Sequence, residues 1–279
     1  MKLKEKLREN NLLLNDKGYF NSYKDNIFDG EMDKEFQDMF DSGSGGELHS
    51  KAEAIHSSSM LSYNIFHIIK KNPITFRGVT YNDVLFEVKL QTIKGSPAPA
   101  NMDVVLIGKK EGKTHVMFIE SKFLEYVDNK KSELSESYAN ENKWLVKNVD
   151  WLNIINAQPS TKGYHEGIKQ AITHLFGIHN LLINPVKVPA LKLVNIEKTS
   201  FEFVNMIYEP NESYEESNSY DNYKTFYSEF VNKIKDVKGL QIIPKWISYS
   251  EWWKDTENQY PKNLRSYINE RYMQYAKKQ

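Results

Sequence analysis

The sequence contains no cysteine among its 279 residues. That absence excludes disulfide bonds and zinc sites built from thiolates. The sequence also lacks any apolar run near the roughly 18–20 residues that a membrane-spanning helix needs, and residues 1–10 lack the apolar segment of a signal peptide. We therefore expect a protein of the reducing cytoplasm that has no membrane partner.

Neither sign of charge is in excess, since 37 basic residues balance 37 acidic ones. Proteins that coat nucleic acid without sequence preference are usually basic, so a neutral chain favours a focused cleft over a broad basic surface. The sequence also has no glycine-rich phosphate loop, no G-x-S-x-G nucleophile turn and no histidine pair at the spacing of helical metal ligands. These absences favour metal-assisted hydrolysis over acyl transfer or the use of nucleoside triphosphates.

What the sequence does contain, over residues 101–123, is two apolar, β-branched runs separated by a short polar segment. This composition predicts a β-hairpin. If the chain folds back between Glu111 and Gly112, Asp103 lies directly opposite Glu120. Opposed residues on antiparallel strands project to the same face, with Cβ atoms about 4.5–5.5 Å apart.

Lys122 follows two residues after Glu120 and therefore projects to the same face. Two carboxylates and one ammonium group then converge at the open end of the hairpin, which suits one or two hard divalent cations and an activated water. Several tripeptides of the sequence place an acidic residue two positions before a lysine. Only Glu120-Ser-Lys122 ends a long apolar strand and has an acidic residue at the matching distance upstream, whereas the others are typical of solvated faces. Those others begin at Glu87, Glu111, Asp128, Glu141 and Asp236.

With this hairpin the chain resembles the PD-(D/E)xK nuclease superfamily, and within it the bacterial restriction-endonuclease-like proteins. The resemblance lies in Ser57–Phe66, Asp103–Leu106 and Ile119–Glu125, and the order of elements extends it over residues 48–200. One departure is Met102, which stands where the superfamily usually has proline. The resemblance implies an α/β fold with a restriction-endonuclease-like core, in which helices flank a central mixed β-sheet.

The resemblance implies a metal-dependent DNA endonuclease. Asp103 and Glu120 would hold Mg²⁺, or Mn²⁺ as a substitute, together with the backbone carbonyl of Ser121. Lys122, its pKa lowered by burial and by the metal's charge, would position the attacking water and help to deprotonate it. DNA is the expected partner, and cutting of both strands would imply a homodimer by symmetry.

Two other functions stay open at this point. One is a repair or phage-defence nuclease that recognises the structure of DNA rather than its sequence. The other is a non-catalytic module that keeps the fold as a scaffold for binding nucleic acid or protein. The complete Asp, Glu and Lys set disfavours the scaffold, because a degenerated site usually loses one of the three.

Three further residues are candidates for the site. Glu53 lies early in a helix predicted over residues 51–71, where related nucleases often carry an extra carboxylate, although a first-turn glutamate also stabilises a helix by itself. Glu87 faces either the cleft or solvent. Gln170 lies on a later helix that often presents Gln to the catalytic face in related nucleases, and His174 shares its side of the helix.

Two features have both a functional and a structural interpretation. Ser57–Ser59 could contact phosphate oxygens or allow close packing between helix and sheet. The aromatic residues of the C-terminal third could stack on bases, or they could pack helices together.

We predict three segments along the chain: residues 1–47 as an N-terminal preface that ends in a flexible Ser/Gly joint, residues 48–200 as the nuclease core, and residues 201–279 as a helical, aromatic-rich extension packed on that core. Besides the elements already named, the predicted elements of the core are a strand over residues 84–90, a helix over 132–149, a helix over 164–182 and a strand over 190–196.

Overall fold

The structure is a computed structural model that describes residues 1–10, 14–15, 18–43, 48, 51–96, 99–127, 133–157, 165–183, 191 and 196–278. The described strands are β1 (Ile74–Phe76), β2 (Val79–Leu90), β3 (Ala100–Lys110), β4 (Lys113–Lys122), β5 (Thr199–Ile207) and β6 (Lys245–Ser248). The described α-helices are α1 (Leu3–Glu9), α2 (Lys34–Ser42), α3 (Ser58–Phe66), α4 (Trp151–Asn156), α5 (His165–Ile183), α6 (Glu216–Ile234), α7 (Tyr249–Thr256) and α8 (Lys262–Arg271). None of the described helices is both long enough and apolar enough to cross a lipid bilayer.

The described strands form one mixed sheet in the order β1-β2-β3-β4-β5-β6. Strands β1 to β4 are an antiparallel meander, whereas β5 runs parallel to β4 and β6 runs parallel to β5. Parallel neighbours need a crossover connection, and the chain supplies α4 and α5 before β5 and α6 before β6. The predicted α/β class with a mixed sheet is confirmed.

The loop between β3 and β4 sets the register of the hairpin. Lys110 pairs with Lys113, so Glu111 and Gly112 alone form the turn. Both have left-handed backbones, with φ of 51° and 77°, and two-residue loops of that conformation match the right-handed twist of the flanking strands. The fold-back predicted between these two residues is confirmed.

The helix predicted over residues 51–71 is shorter in the structure. Residues 51–56 form turns, and α3 begins only at Ser58. The reason is an N-cap, because the Ser57 hydroxyl accepts a hydrogen bond from the Met60 N–H at 3.3 Å, and serine favours that position over the helix interior. The last turn, His67–Lys70, is a 3₁₀-helix.

The helix predicted over residues 132–149 is wrong. The described part of that range contains only the short 3₁₀ segments Glu136–Ala139 and Glu141–Lys143. Ser135 and Asn140 each accept a hydrogen bond from the backbone two residues ahead, and such local bonds compete with helix formation.

Two other predictions bear on the crossover and on the N-terminal joint. The helix predicted over residues 164–182 is confirmed as α5. The strand predicted over 190–196 falls mostly outside the described residues, and the described parallel strand, β5, begins at Thr199. The Ser/Gly joint also falls largely outside the described residues, since 44–47 are among those not described.

The C-terminal third belongs to the same core as the rest of the chain. β5 and β6 complete the sheet, so the boundary predicted at residue 200 falls inside a strand. Its aromatic side chains are mostly buried. The rings of Tyr220, Tyr223 and Tyr227 on α6, for example, lie with centroids 5.3–5.6 Å from that of Trp246. These rings pack the core and are not exposed for stacking on bases.

Glu202 on β5 connects three neighbouring strands. One carboxylate oxygen lies 2.8 Å from Lys245 Nζ on β6, and the other lies 3.4 Å from His115 Nε2 on β4. Burial alone would raise the pKa of Glu202, but these two partners outweigh burial and lower it to about 2. The carboxylate therefore stabilises the fold as long as it is ionised.

We expect Glu202→Gln to lower the free energy of unfolding at pH 7 by about 1–3 kcal/mol. Because the pKa of Glu202 is about 2 in the fold and 4.5 ordinarily, this stabilisation is complete above about pH 4.5 and is lost as the pH falls toward 2. Urea denaturation at pH 7 and pH 3 measures the effect, and the difference in the free energy of unfolding between wild type and variant should be smaller at pH 3. Glu229→Gln, on the exposed face of α6, is the control. An equal difference in stability at both pH values would contradict the lowered pKa of Glu202.

Candidate active site

The β3–β4 hairpin brings the predicted acidic pair together. The register joins Val104 to Ile119, which makes Asp103 and Glu120 the next opposed residues. The backbone N–H of Ser121 donates a hydrogen bond to Asp103 Oδ2 at 2.7 Å. The predicted opposition of the two carboxylates across the hairpin is confirmed, and both line one cavity.

Glu120 has a cationic partner on one oxygen and a histidine on the other. Lys122 Nζ lies 2.5 Å from Oε1, and His174 Nε2 lies 2.6 Å from Oε2. The Glu120 side chain is only 4% exposed. Burial alone would raise its pKa, but Lys122 and His174 outweigh burial and lower the pKa to about 2. Glu120 is therefore ionised at neutral pH, and Nε2 of His174 must be the donor.

The pKa of Asp103 shifts in the opposite direction, although Asp103 faces Glu120 across the hairpin. Burial and the charges of Glu120 and Glu87 raise the pKa of Asp103 well above its ordinary value, and they outweigh Lys122 and the Ser121 N–H. Asp103 therefore tends to hold its proton. A divalent cation beside it would favour the ionised carboxylate.

The pKa of Lys122 moves in the direction opposite to the one expected from the sequence for a metal-bound site. Burial alone would lower the pKa of the ammonium group, but the neighbouring charges of Glu120 and Asp103 raise it above its ordinary value. With two carboxylates as neighbours, Lys122 keeps its proton and is a positively charged hydrogen-bond donor.

Glu87 on β2 lies on the cavity side. Its side chain is buried, lines the cavity and accepts a hydrogen bond from Asn101 Nδ2 at 3.2 Å. Its φ of 53° is left-handed inside a strand. Such backbones cost about 1–3 kcal/mol in non-glycine residues and cluster at functional sites. Of the two orientations left open by the sequence, the structure shows the one that faces the cleft.

Helix α5 presents two polar side chains to the cavity, Gln170 and His174. Gln170 Oε1 is buried and has no hydrogen-bond partner among the described residues, which marks a place where a ligand or water would bind. His174 is the residue that sequence reasoning left outside the site. Its signal was the four-residue spacing from Gln170, which puts both on one face, but only the fold shows that this face meets Glu120.

Glu53 does not join the cavity. It is half-buried in the turns that precede α3 and is not among the residues that line the cavity, because the helix begins seven residues later than predicted. Ser57–Ser59, at the start of α3, do line it. The hydroxyl of Ser121 is buried on the opposite face of the sheet, 2.6 Å from the Tyr249 hydroxyl, so only the backbone of Ser121 is available to the site.

The cavity has a volume of about 740 Å³ and an acidic lining. Within the described ranges, no group of three or more Asp, Glu, His or Cys side chains is arranged to hold a metal ion. The donor set fits Mg²⁺ in chemistry, since hard cations take carboxylate oxygens, but both oxygens of Glu120 already have partners. The carboxyl groups of the lining belong to Glu87, Asp103, Glu120, Glu125, Glu166 and Glu216, and its ammonium groups to Lys4, Lys51 and Lys122.

We expect Asp103→Asn to raise the free energy of unfolding at pH 8, without divalent ions, by about 1–3 kcal/mol. The raised pKa of Asp103 means that its ionisation destabilises the fold. The gain should therefore shrink as the pH falls toward the ordinary value of 3.8. Added Mg²⁺ should raise the melting temperature of the wild type more than that of the variant, because a ligand of the native state stabilises it.

The control for this comparison is Asp255→Asn, an exposed aspartate on α7, for which neither effect is expected. An Asp103→Asn protein that is less stable than wild type at pH 8 would show that the fold stabilises the ionised carboxylate of Asp103, contrary to the prediction. An equal response of both proteins to Mg²⁺ would remove Asp103 from the cation site.

Comparison of the chain with protein-family models, with curated proteins and with solved structures gives no significant match. The geometry of this cavity is therefore the basis on which a function can be inferred.

Proposed function

We propose that the protein is a metal-dependent DNA endonuclease that hydrolyses phosphodiester bonds. The observation that carries the proposal is the convergence of Asp103, Glu120 and Lys122 in one cavity, from adjacent strands of one hairpin. Paired carboxylates beside a lysine, in a concave site with shifted pKa values, are typical of metal-assisted phosphoryl transfer.

The order of elements supports a restriction-endonuclease-like core. A helix, α3, precedes the antiparallel strands β2, β3 and β4, and the chain then crosses over through α5 to the parallel strand β5. This is the order that the resemblance to PD-(D/E)xK nucleases implies. It places the hairpin in the middle of the sheet, with α5 against the face that carries Glu120.

Asp103 and Glu120, with the backbone carbonyl of Ser121, are the groups that would hold Mg²⁺, for which Mn²⁺ could substitute. The bound ion would supply a Lewis acid that polarises the phosphoryl group and neutralises developing charge. Glu120 must exchange one of its present partners for the ion, and Lys122 is the partner that can move, because its side chain is long and unbranched.

The chain's own groups then have distinct roles. Lys122, with its raised pKa, donates hydrogen bonds to the phosphoryl oxygens and stabilises their negative charge. Asp103, whose carboxylate would be ionised beside a bound cation, would hold that cation together with Glu120. His174 holds the carboxylate of Glu120 in place through Nε2, as second partners of ligating carboxylates do in metal sites.

A non-catalytic scaffold is the second candidate, and one observation favours it. Glu120 is fully paired with Lys122 and His174, so the trio could persist as a buried ionic network without any metal. Absence of cleavage with both plasmid and single-stranded DNA, together with unchanged stability in Mg²⁺, would support the scaffold.

We expect Glu120→Gln and Lys122→Met each to lower cleavage of plasmid DNA in Mg²⁺ by at least about 100-fold, because each removes a charge needed at the reacting centre. EDTA should abolish cleavage by the wild type. The hairpin supplies a matched control in its exposed turn, where Glu111-Gly112-Lys113 repeats the acidic-x-Lys pattern. Glu111→Gln and Lys113→Met should cleave like wild type, and full activity in either of the first two variants would refute the roles.

We expect His174→Ala to lower cleavage by about 10–100-fold, the usual cost of removing a residue that orients a ligand. His174→Gln, which can still donate to Glu120, should recover part of the rate. The KM for Mg²⁺ should rise in the alanine variant and return toward the wild-type value in the glutamine variant, which distinguishes positioning from a general loss of structure. His67→Ala, on the 3₁₀-helix after α3, is the control. Equal rates for His174→Ala and wild type would contradict the role.

A further inference from the structure

The groups that would react lie deep in the cavity. The side chains of Glu120, Lys122 and His174 are only 4%, 12% and 3% exposed. The cavity, at about 740 Å³, falls in the range of about 300–1,000 Å³ that is typical of pockets for small ligands. A B-form duplex, whose major groove alone is about 12 Å wide, is far larger than such a pocket.

One wall of the cavity comes from the N-terminal segment, which we call the N-terminal wall: residues 1–20 as far as they are described. Lys4 and Tyr19 of this wall line the cavity. The Leu3 N–H donates to Glu216 Oε2 at 2.8 Å, and the Lys4 N–H donates to Glu216 Oε1 at 3.4 Å. A buried carboxylate on α6 thus holds the first turn of α1.

The N-terminal wall is also fixed at its other end. Tyr19 pairs with Ala54, and the Phe20 N–H donates to the Glu53 carbonyl at 2.9 Å. Leu3, Leu7 and Phe20 are buried in the core. This wall of the cavity is therefore a packed and hydrogen-bonded part of the fold.

The charge of the lining does not suit binding along a duplex. Lys4 and Lys51, with Lys122, are its only ammonium groups among the described residues, and they face a larger set of carboxylates. Binding along a duplex usually engages many phosphates through basic side chains, and this lining does not supply such a set.

From the depth of these groups and the size of the cavity, and resting on the proposed nuclease function, we propose that the substrate is an unpaired strand of DNA. The scissile phosphate reaches Asp103, Glu120 and Lys122 only after its nucleotide has left a duplex. The bases next to it are then accommodated between α3, α5 and the N-terminal wall.

The test compares one labelled oligonucleotide in three forms with wild-type protein in Mg²⁺: as a single strand, as a blunt duplex, and as a duplex with a central unpaired loop. We expect the single strand to be cut about 100-fold faster than the duplex, because paired bases must first unpair and unstack. In the third form, cuts should fall within the unpaired loop.

The outcomes separate the two proposals. Cleavage of the blunt duplex at the rate of the single strand overturns the inference and leaves the nuclease function standing. Absence of cleavage with all three forms, in Mg²⁺ and in Mn²⁺, overturns the nuclease function and with it the inference. Preference for the unpaired forms supports both.

A variant tests whether the N-terminal wall causes the preference. Glu216→Ala removes the acceptor that holds α1, so we expect the ratio of single-strand to duplex cleavage to fall at least tenfold. Glu212→Ala, an exposed glutamate paired with Lys277, is the matched control and should keep the ratio. A folded Glu216→Ala protein with an unchanged ratio would show that the wall does not select the substrate, and the comparison of substrates with wild type stands even if the variant fails to fold.

Discussion

The register of the β3–β4 hairpin is the constraint on which the rest of this site depends. Its two-residue turn, Glu111-Gly112, has left-handed backbones at both positions, and it fixes which residues face each other along the two strands. A slip of one residue would turn every side chain to the other face. Asp103 would then no longer face Glu120. Turn chemistry thus fixes the register on which the site depends.

Within that register, two facing carboxylates acquire opposite properties. Glu120 has a low pKa because Lys122 and His174 contact its two oxygens, whereas Asp103 receives mainly the burial and the repulsion. Titratable neighbours whose pKa values are pushed apart are characteristic of acid–base and metal sites. The left-handed Glu87 adds a local backbone cost at the same place. A fold that keeps such a cluster must offset its free-energy cost elsewhere. The continuous core of sheet, helices and C-terminal aromatic residues provides that stabilisation.

The depth of its polar groups distinguishes this cavity, since Glu120, Lys122 and His174 are almost fully buried. Elements far apart in the chain build it: α1 from the N-terminus, α3, the hairpin, α5, and α6 from the C-terminal third. The same α6 carries Glu216, which holds the N-terminal wall, and the aromatic residues that surround Trp246. The C-terminal third therefore serves the site as well as the core. Balanced net charge is consistent with this design, since a site that selects by access needs no broad basic surface.

The sequence by itself determined the hairpin, its turn, the pairing of Asp103 with Glu120, the face of Lys122 and the helix α5, because these depend on local periodicity and turn chemistry over a few residues. It misplaced the start of α3, where a serine cap decided the boundary, and it predicted a helix at 132–149 where side chains bond their own backbone. Only the tertiary structure decided that His174 contacts Glu120, that Glu53 stays out of the cavity, that β6 completes the sheet and that the N-terminal segment forms one wall of the cavity. Those contacts join residues tens to hundreds of positions apart, and the physical reason they escape sequence reasoning is that packing and charge, summed over the whole fold, select them.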